Sequence, residues 1–465
     1  MSAFPWKHLL AAPIVFLLLF YGLTTTGVLS ADEPRYASIG REMAESGDWV
    51  TPRLWGEPWF EKPPLLYWLV ALGFVAGLGD DLAPRLPIAL LSAGFLLLFF
   101  HQVRREFGER AALYASGILA TSAGWLAYSH VAVTDLPLAA TFTAALLLCL
   151  PWVRSGGRRG LLIAGVFLGF AVLAKGLVPL ALMAPLLWIA GRRWPELFLL
   201  AGAAIAIASP WYLACYWQNG NAIVNELFWK HHVSRFFSPE LQHVQPWWYY
   251  APVLLGLLFP WTPTLVVIPH RTSDNRRKLL FAVVLFGFVL FSAGANKLPG
   301  YLLPLIPTIA ILAGIRLAEM KDVRAVVGWS AILLLALPLI AGTLPRALAV
   351  GLSKVELTAI GWGSVLPVVA GVAVVFWFLA REKRSFAIAA AVITATMAVA
   401  YLKWRMFPEL DRVVSARALW LQIRDSRDEY CIGVLDRDIR YGLNYYAHKP
   451  LKECAEWPLL KRLDR

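Results

Sequence analysis

The chain is dominated by a long succession of apolar runs, many of them close to the roughly 20 residues that a helix needs to cross a bilayer. Inside hydrocarbon every backbone polar group must find a partner within the protein, so only helices and closed barrels cross. Barrel strands alternate apolar and polar residues, whereas these runs stay apolar throughout. The sequence therefore predicts an all-α polytopic membrane protein. Composition agrees: 59 % of the 465 residues are hydrophobic and 16 % charged, against about 45–50 % and about 25 % in soluble domains. An ordinary soluble enzyme, a disordered chain and a disulfide-built secreted module are excluded.

Candidate crossings, with ends uncertain by about two to four residues, fall at 8–29, 85–103, 111–128, 134–153, 160–174, 177–190, 196–214, 248–268, 279–294, 299–315, 325–344, 359–379 and 385–401. The net charge of +13 sits mostly in short loops between them. Arg104/Arg105/Arg110, Arg154/Arg158/Arg159, Arg192/Arg193, Arg271/Arg276/Arg277/Lys278, Arg316/Lys321/Arg324 and Arg381/Lys383/Arg384 are expected on the cytoplasmic side. The apolar stretch 64–79 also looks like a crossing. If it crossed, Arg104, Arg105 and every later basic loop would face outward. Parity therefore predicts that 64–79 enters the outer leaflet or lies along it, leaving thirteen crossings, a cytoplasmic N-terminus and an outward C-terminus.

Residues 1–401 thus read as a transmembrane domain, with outward loops at 30–84 and 215–247. Residues 402–465 carry 13 Lys/Arg and 10 Asp/Glu, which marks them as a small outward soluble domain of α/β type. Cys431 and Cys454 both lie in it. An oxidising compartment would let them pair, and two free thiols are the alternative. No metal-type CxxC occurs, so a structural zinc site is not expected.

The polar residues worth attention cluster in the outward loops. Asp32-Glu33-Pro34-Arg35-Tyr36 opens a short amphipathic helix over 33–46, with Gly47 as its stop. Asp32 is a good N-cap, and Asp32 and Arg35 share a face three residues apart. Capping accounts for Asp32 alone and leaves Glu33 and Arg35 unexplained at a membrane boundary, where charge is costly. In Trp59-Phe60-Glu61-Lys62-Pro63-Pro64, Pro63 pushes Lys62 into extended geometry, giving a stiff acid–base pair before the apolar stretch. A solvated turn is the bland alternative. Asp135 starts a crossing and is either an N-cap or a functional acid. Lys175 sits in apolar surroundings and needs an anion or must snorkel outward. Arg235, His243 and Lys297 complete the outward set. Cations at head-group depth suit a lipid phosphate. Acids suit activation of a hydroxyl.

At these residues the sequence resembles a known family. Asp32-Glu33-Pro34-Arg35-Tyr36, Arg41-Glu42-Met43, Gly47-Asp48-Trp49 and Phe60-Glu61-Lys62-Pro63-Pro64-Leu65 resemble bacterial members of the protein O-mannosyltransferase and 4-amino-4-deoxy-L-arabinose transferase group. These are polyprenyl-phosphate-dependent glycosyltransferases of the C superfamily. The likeness continues through Thr134-Asp135-Leu136-Pro137, Ala174-Lys175-Gly176, Arg235-Phe236, His243 with Pro246-Trp247-Trp248-Tyr249, and Lys297-Leu298-Pro299. Trp59 departs from the tyrosine common before Phe-Glu-Lys, and the C-terminal domain is short for the aminoarabinose branch.

The resemblance implies a bacterial inner-membrane glycosyltransferase with an outward, periplasmic active site and an undecaprenyl-phosphate sugar donor. It makes Asp32 the key acid, with Glu33 beside it; the reading of the outward charges adds Asp135 as a further catalytic candidate. Arg35, Lys62 and Lys175 match groups near the donor phosphate, and the outward cations Arg235 and Lys297 complete the candidates for it. Glu61 and His243 match residues that can share a divalent metal such as zinc, without establishing that turnover needs one. The acceptor would be lipid A, another envelope glycan or a protein; no nucleic-acid partner is implied. A transporter or flippase of polyprenyl-linked sugars is the alternative, and it would want charges near mid-bilayer and paired repeats. A lipid-binding scaffold is a third reading.

Overall fold

The computed structural model describes residues 12–227, 229, 244–268, 272–351, 354–356, 361–425, 430–433, 435–454 and 460–462. Helices dominate. In chain order they include α1 (Asp32–Ser46), α2 (Leu65–Val75), α3 (Leu86–Phe107), α4 (Glu109–Thr121), α5 (Ala123–Tyr128), α6 (Asp135–Ser155) and α7 (Arg159–Lys175). There follow α8 (Leu197–Asn219), α9 (Asn275–Ala293), α10 (Ile306–Glu319), α11 (Arg324–Leu333), α12 (Leu337–Val350), α13 (Trp362–Ala380), α14 (Arg384–Val413), α15 (Arg417–Ile423) and α16 (Arg437–Ala447). Strands are few. β1 (Arg53–Leu54) pairs with β2 (Glu57–Pro58), and β3 (Tyr430–Ile432) with β4 (Leu460–Arg462), both antiparallel.

The middle of the bundle is α6. Within the helix Asp135–Ser155 the apolar stretch is 94 % buried, against 22 % for Trp362–Ala380. An apolar helix whose surface is mostly open needs another apolar medium, so α13 faces lipid while α6 is enclosed by protein. α6 packs on α3 and α7, α7 on α8, and α4 on α10.

Among the described residues, six helices are long and apolar enough to cross a membrane, or seven if the α11–α12 pair, bent by 50°, counts as one. The chain is a multi-pass membrane protein, but several expected crossings are not single helices. The stretch 111–128 breaks at Ser122, whose backbone is extended. The stretch 248–268 breaks after Leu258, before Pro260 and Pro263, and resumes as a 3-10 turn over Thr262–Val267. The two breaks meet: the Ala123 N–H donates to the Phe259 carbonyl at 2.9 Å, and Ser122 Oγ donates to the Ile118 carbonyl at 2.6 Å. The first bond joins one interruption to the other and the second satisfies a carbonyl within its own segment, as a membrane interior requires. The stretch 299–315 likewise opens as a 3-10 turn, Pro299–Leu305.

The stretch 64–79 contains α2, whose 11 residues extend roughly 16 Å, about half the hydrocarbon thickness. It lies against α1, and Gly40 permits the approach: a Cβ there would lie 2.5 Å from Val70 Cγ1. At the other end of the chain, α14 continues unbroken to Val413. The expected boundary at 402 therefore falls inside a helix, because no turn signal interrupts its last apolar turns. Beyond it, α15, α16 and the β3–β4 pair form a small cluster around Leu443, Ile432 and Ile423. Cys431 and Cys454 are bonded in it, and α16 lies within the loop they close.

Candidate active site

The site grows from the first turn of α1. The helix includes Asp32, and its N-cap is Ala31, with no side-chain capping bond. The Asp32 carboxylate is therefore not spent on capping. It pairs instead with Arg35 Nη2 one turn later. Arg35 is 4 % exposed and also donates from Nη1 to Glu61 Oε2 at 2.9 Å and from Nε to the Ala31 carbonyl at 3.1 Å. Lys62 Nζ lies 3.3 Å from Glu61 Oε1, and the Tyr36 hydroxyl donates to the same oxygen at 3.4 Å. Asp32, Arg35, Glu61 and Lys62, drawn from two separate segments, thus form one continuous chain of opposite charges. Asp32 is its most open acid, at 44 % exposure.

Aromatic rings enclose this chain. The Arg35 guanidinium lies 5.6, 5.9 and 5.3 Å from the ring centres of Tyr36, Trp59 and Tyr441. Burial works against its charge, but Glu61, Tyr36 and Asp32 outweigh burial and raise its pKa further. Burial, followed by the Glu61 and Asp32 charges, raises the Tyr36 pKa, so its phenol stays a neutral donor.

Glu33 requires a correction. Expected beside Asp32 in the catalysis, it is fully enclosed and has another task. It receives both Nε and Nη2 of Arg85 at 2.8 Å, the Leu29 N–H at 2.7 Å and the Ala132 N–H at 3.1 Å. Arg85 also donates to the carbonyls of Leu23, Thr26 and Gly27. This buried pair ties α1 to three flanking segments and leaves Glu33 no free lone pair for chemistry. Arg85 was not singled out from sequence. Its signal was a lone arginine at the head of an apolar run.

Asp135 and Lys175 come together. Lys175 Nζ lies 2.6 Å from Asp135 Oδ1 and 4.8 Å from the centre of the Tyr301 ring. The two are paired with each other, which gives Lys175 the anion its apolar surroundings require. The Tyr128 hydroxyl lies on the same side as this pair: a Cβ on Gly300 would come 2.8 Å from it and 2.5 Å from Asp135 Oδ1. Lys297 is corrected too: it is 5 % exposed and donates to the carbonyls of Gln245 at 3.0 Å and Gly294 at 2.7 Å, pinning two loops together. His130 is buried, and burial, assisted by Lys403, lowers its pKa to about 3. It stays neutral, with Nδ1 2.7 Å from the Leu126 carbonyl.

Arg235 and His243 lie outside the described residues. Among those described, no group of three or more His, Cys, Asp or Glu is placed to hold a metal. Glu61 meets Arg35 on one oxygen and Lys62 on the other. Its expected metal partner, His243, lies outside the described residues.

Comparison with known proteins gives this arrangement its context. The profile of the dolichyl-phosphate-mannose-protein mannosyltransferase family matches residues 6–252, just over half of the chain. The chain belongs to this mannosyltransferase family. Among its relatives, the undecaprenyl phosphate-alpha-4-amino-4-deoxy-L-arabinose arabinosyl transferase 2 of Pseudomonas fluorescens (strain Pf0-1) is 33 % identical over 338 residues, covering 68 % of this chain and 60 % of the relative. The corresponding transferase of Edwardsiella ictaluri is 35 % identical over 328 residues, covering 64 % and 57 %. The chain therefore spans less than two thirds of these relatives' length. The fold matches the crystal structure of ArnT from Cupriavidus metallidurans bound to undecaprenyl phosphate, with a TM-score of 0.79 over 97 % of this chain and 86 % of that one, at 24 % identity. Within the mannosyltransferase family frame, the matched segment contains Asp32, Arg35, Glu61 and Lys62.

Proposed function

We propose that the protein is a membrane glycosyltransferase that moves a sugar from an undecaprenyl-phosphate carrier to an envelope acceptor, such as lipid A, a glycan or a protein, at the periplasmic face of the inner membrane. The observation that carries this reading is the continuous Asp32–Arg35–Glu61–Lys62 chain. It sets one open carboxylate beside two cations at the mouth of a membrane bundle. The names of the relatives, which specify undecaprenyl phosphate-linked aminoarabinose, support that donor class.

The chemistry follows from the charges. The donor phosphate sits against Lys62 and Arg35, which Glu61 holds in place. Asp32 accepts the proton of the acceptor hydroxyl as that oxygen attacks the anomeric carbon. The carbon–oxygen bond to the phosphate breaks, and its electron pair stays on the carrier, whose charge the two cations stabilise. Direct attack inverts the anomeric centre. No nucleotide takes part. The reading places the N-terminus in the cytoplasm, thirteen crossings in the membrane with some built from broken helices, and residues 402–465 on the periplasmic side.

The test is turnover. Purified protein in nanodiscs receives undecaprenyl-phosphate aminoarabinose and an envelope extract, and released undecaprenyl phosphate and glycosylated product are measured. Wild type should give both. D32N should lose about 10²–10⁴-fold in rate while keeping its melting temperature. Transport of the intact donor across the bilayer, without bond cleavage, would overturn the proposal in favour of a flippase.

A further inference from the structure

Helix α16 comes from the far end of the chain, yet it reaches the first turn of α1. Its second half is fixed to Arg41, farther along α1, and to Asp80 and Asp81. The Tyr445 hydroxyl donates to the Asp80 carbonyl at 2.6 Å, Arg41 Nη1 donates to the Tyr445 carbonyl at 2.9 Å, and the Tyr446 hydroxyl donates to Asp81 Oδ1 at 2.9 Å. Its first half then projects Tyr441 over Arg35. Asp438, three residues earlier, shares that helical face and is exposed.

Tyr441 is a wedge. Its ring stacks on Trp55 with centres 5.7 Å apart and planes 20° from parallel, and Arg35 lies 5.3 Å from its centre. Trp55 occupies the turn of the β1–β2 hairpin at a φ of 57°. Gly56 beside it also has a positive φ, of 87°, as a two-residue hairpin turn requires. Beyond Trp55 lies a cavity of about 350 Å³, lined by Ser38, Arg41, Glu42 and Glu45 of α1 and by His448 and Lys449. Arg35, Ser38, Glu42 and Glu45 are spaced 3, 4 and 3 residues apart, so the cavity continues along the α1 face that starts at Arg35.

We propose that α16 forms the acceptor-side wall of the active site, with Asp438 holding the acceptor beside Asp32, Tyr441 positioning Arg35, and the cavity past Trp55 taking the acceptor's body. A carboxylate at this place suits a hydroxyl-bearing acceptor, while the Arg437 guanidinium, 5.5 Å from the centre of the same Tyr441 ring, offsets part of its charge. The surface it lies against desolvates Asp438 in part, and the Asp32 charge adds repulsion; both raise its pKa. The inference rests on the transferase reading above and deepens it.

The experiment uses the full chain in nanodiscs, undecaprenyl-phosphate aminoarabinose as donor, and a dilution series of envelope extract as acceptor. D438N should raise the half-saturating amount of extract about tenfold, the scale of one lost polar contact, and leave direct binding of undecaprenyl phosphate within about twofold. Y441A should weaken undecaprenyl phosphate binding through Arg35, and Y441F, which keeps the ring, should restore it. An unchanged half-saturation in D438N, or an equal loss of donor binding, overturns the acceptor assignment. Y441A with unaltered donor binding overturns the positioning role. A wild type that releases no undecaprenyl phosphate overturns the transferase reading itself, and this inference with it.

Discussion

Residues of the same charge type do different work here, and burial separates them. Asp32 and Glu33 are neighbours, but Asp32 is 44 % exposed and Glu33 fully enclosed against Arg85. Removing one member of such a pair leaves an uncompensated charge. R85L should therefore destabilise the protein by about 3–5 kcal/mol in chemical unfolding, and E33L/R85L should recover part of that loss. An equal loss in both variants would show that the pair itself supplies the stability. Sequence made Asp32, Arg35, Glu61 and Lys62 legible because charge at a membrane boundary and the three-residue spacing of Asp32 and Arg35 are local signals. It could not show that Asp135 and Lys175, 40 residues apart, pair with each other. Nor could it show that Lys297 spends its donors on the carbonyls of Gln245 and Gly294. Those outcomes depend on which loops meet.

Elements position these residues by close approach. The 3-10 turn Pro299–Leu305 packs on the start of α6 through Gly300, where a Cβ would lie 2.5 Å from Asp135 Oδ1 and 2.8 Å from the Tyr128 hydroxyl. G300A should push the Asp135 carboxylate from Lys175. Overpacking of this kind costs about 1–3 kcal/mol, to be read as a lowered melting temperature together with reduced turnover. A variant with unchanged melting and activity would show that the turn yields freely. The apolar periodicity located α1 and its stop at Gly47, and also the long helices α3, α6 and α14. It could not locate the breaks at Ser122 and after Leu258. They meet in the bond from the Ala123 N–H to the Phe259 carbonyl, a tertiary solution with no local sequence signal beyond Pro260 and Pro263.

Across the whole molecule, both ends of the chain converge on one place. α1 follows the first apolar run, α16 lies more than 390 residues later, and Arg35 touches residues of both. Composition announced the membrane and the basic loops suggested its sides, but neither hinted that the C-terminal segment closes over the site. The account stands on the donor phosphate meeting Arg35 and Lys62 beside Asp32. The most direct measurement is a cryo-EM structure of this protein in nanodiscs with undecaprenyl phosphate. The phosphate is expected within hydrogen-bonding distance, about 2.7–3.2 Å, of both Lys62 Nζ and the Arg35 guanidinium, with the lipid chain between the helices. A phosphate bound at the opposite face of the membrane, or away from Lys62 and Arg35, would contradict the account.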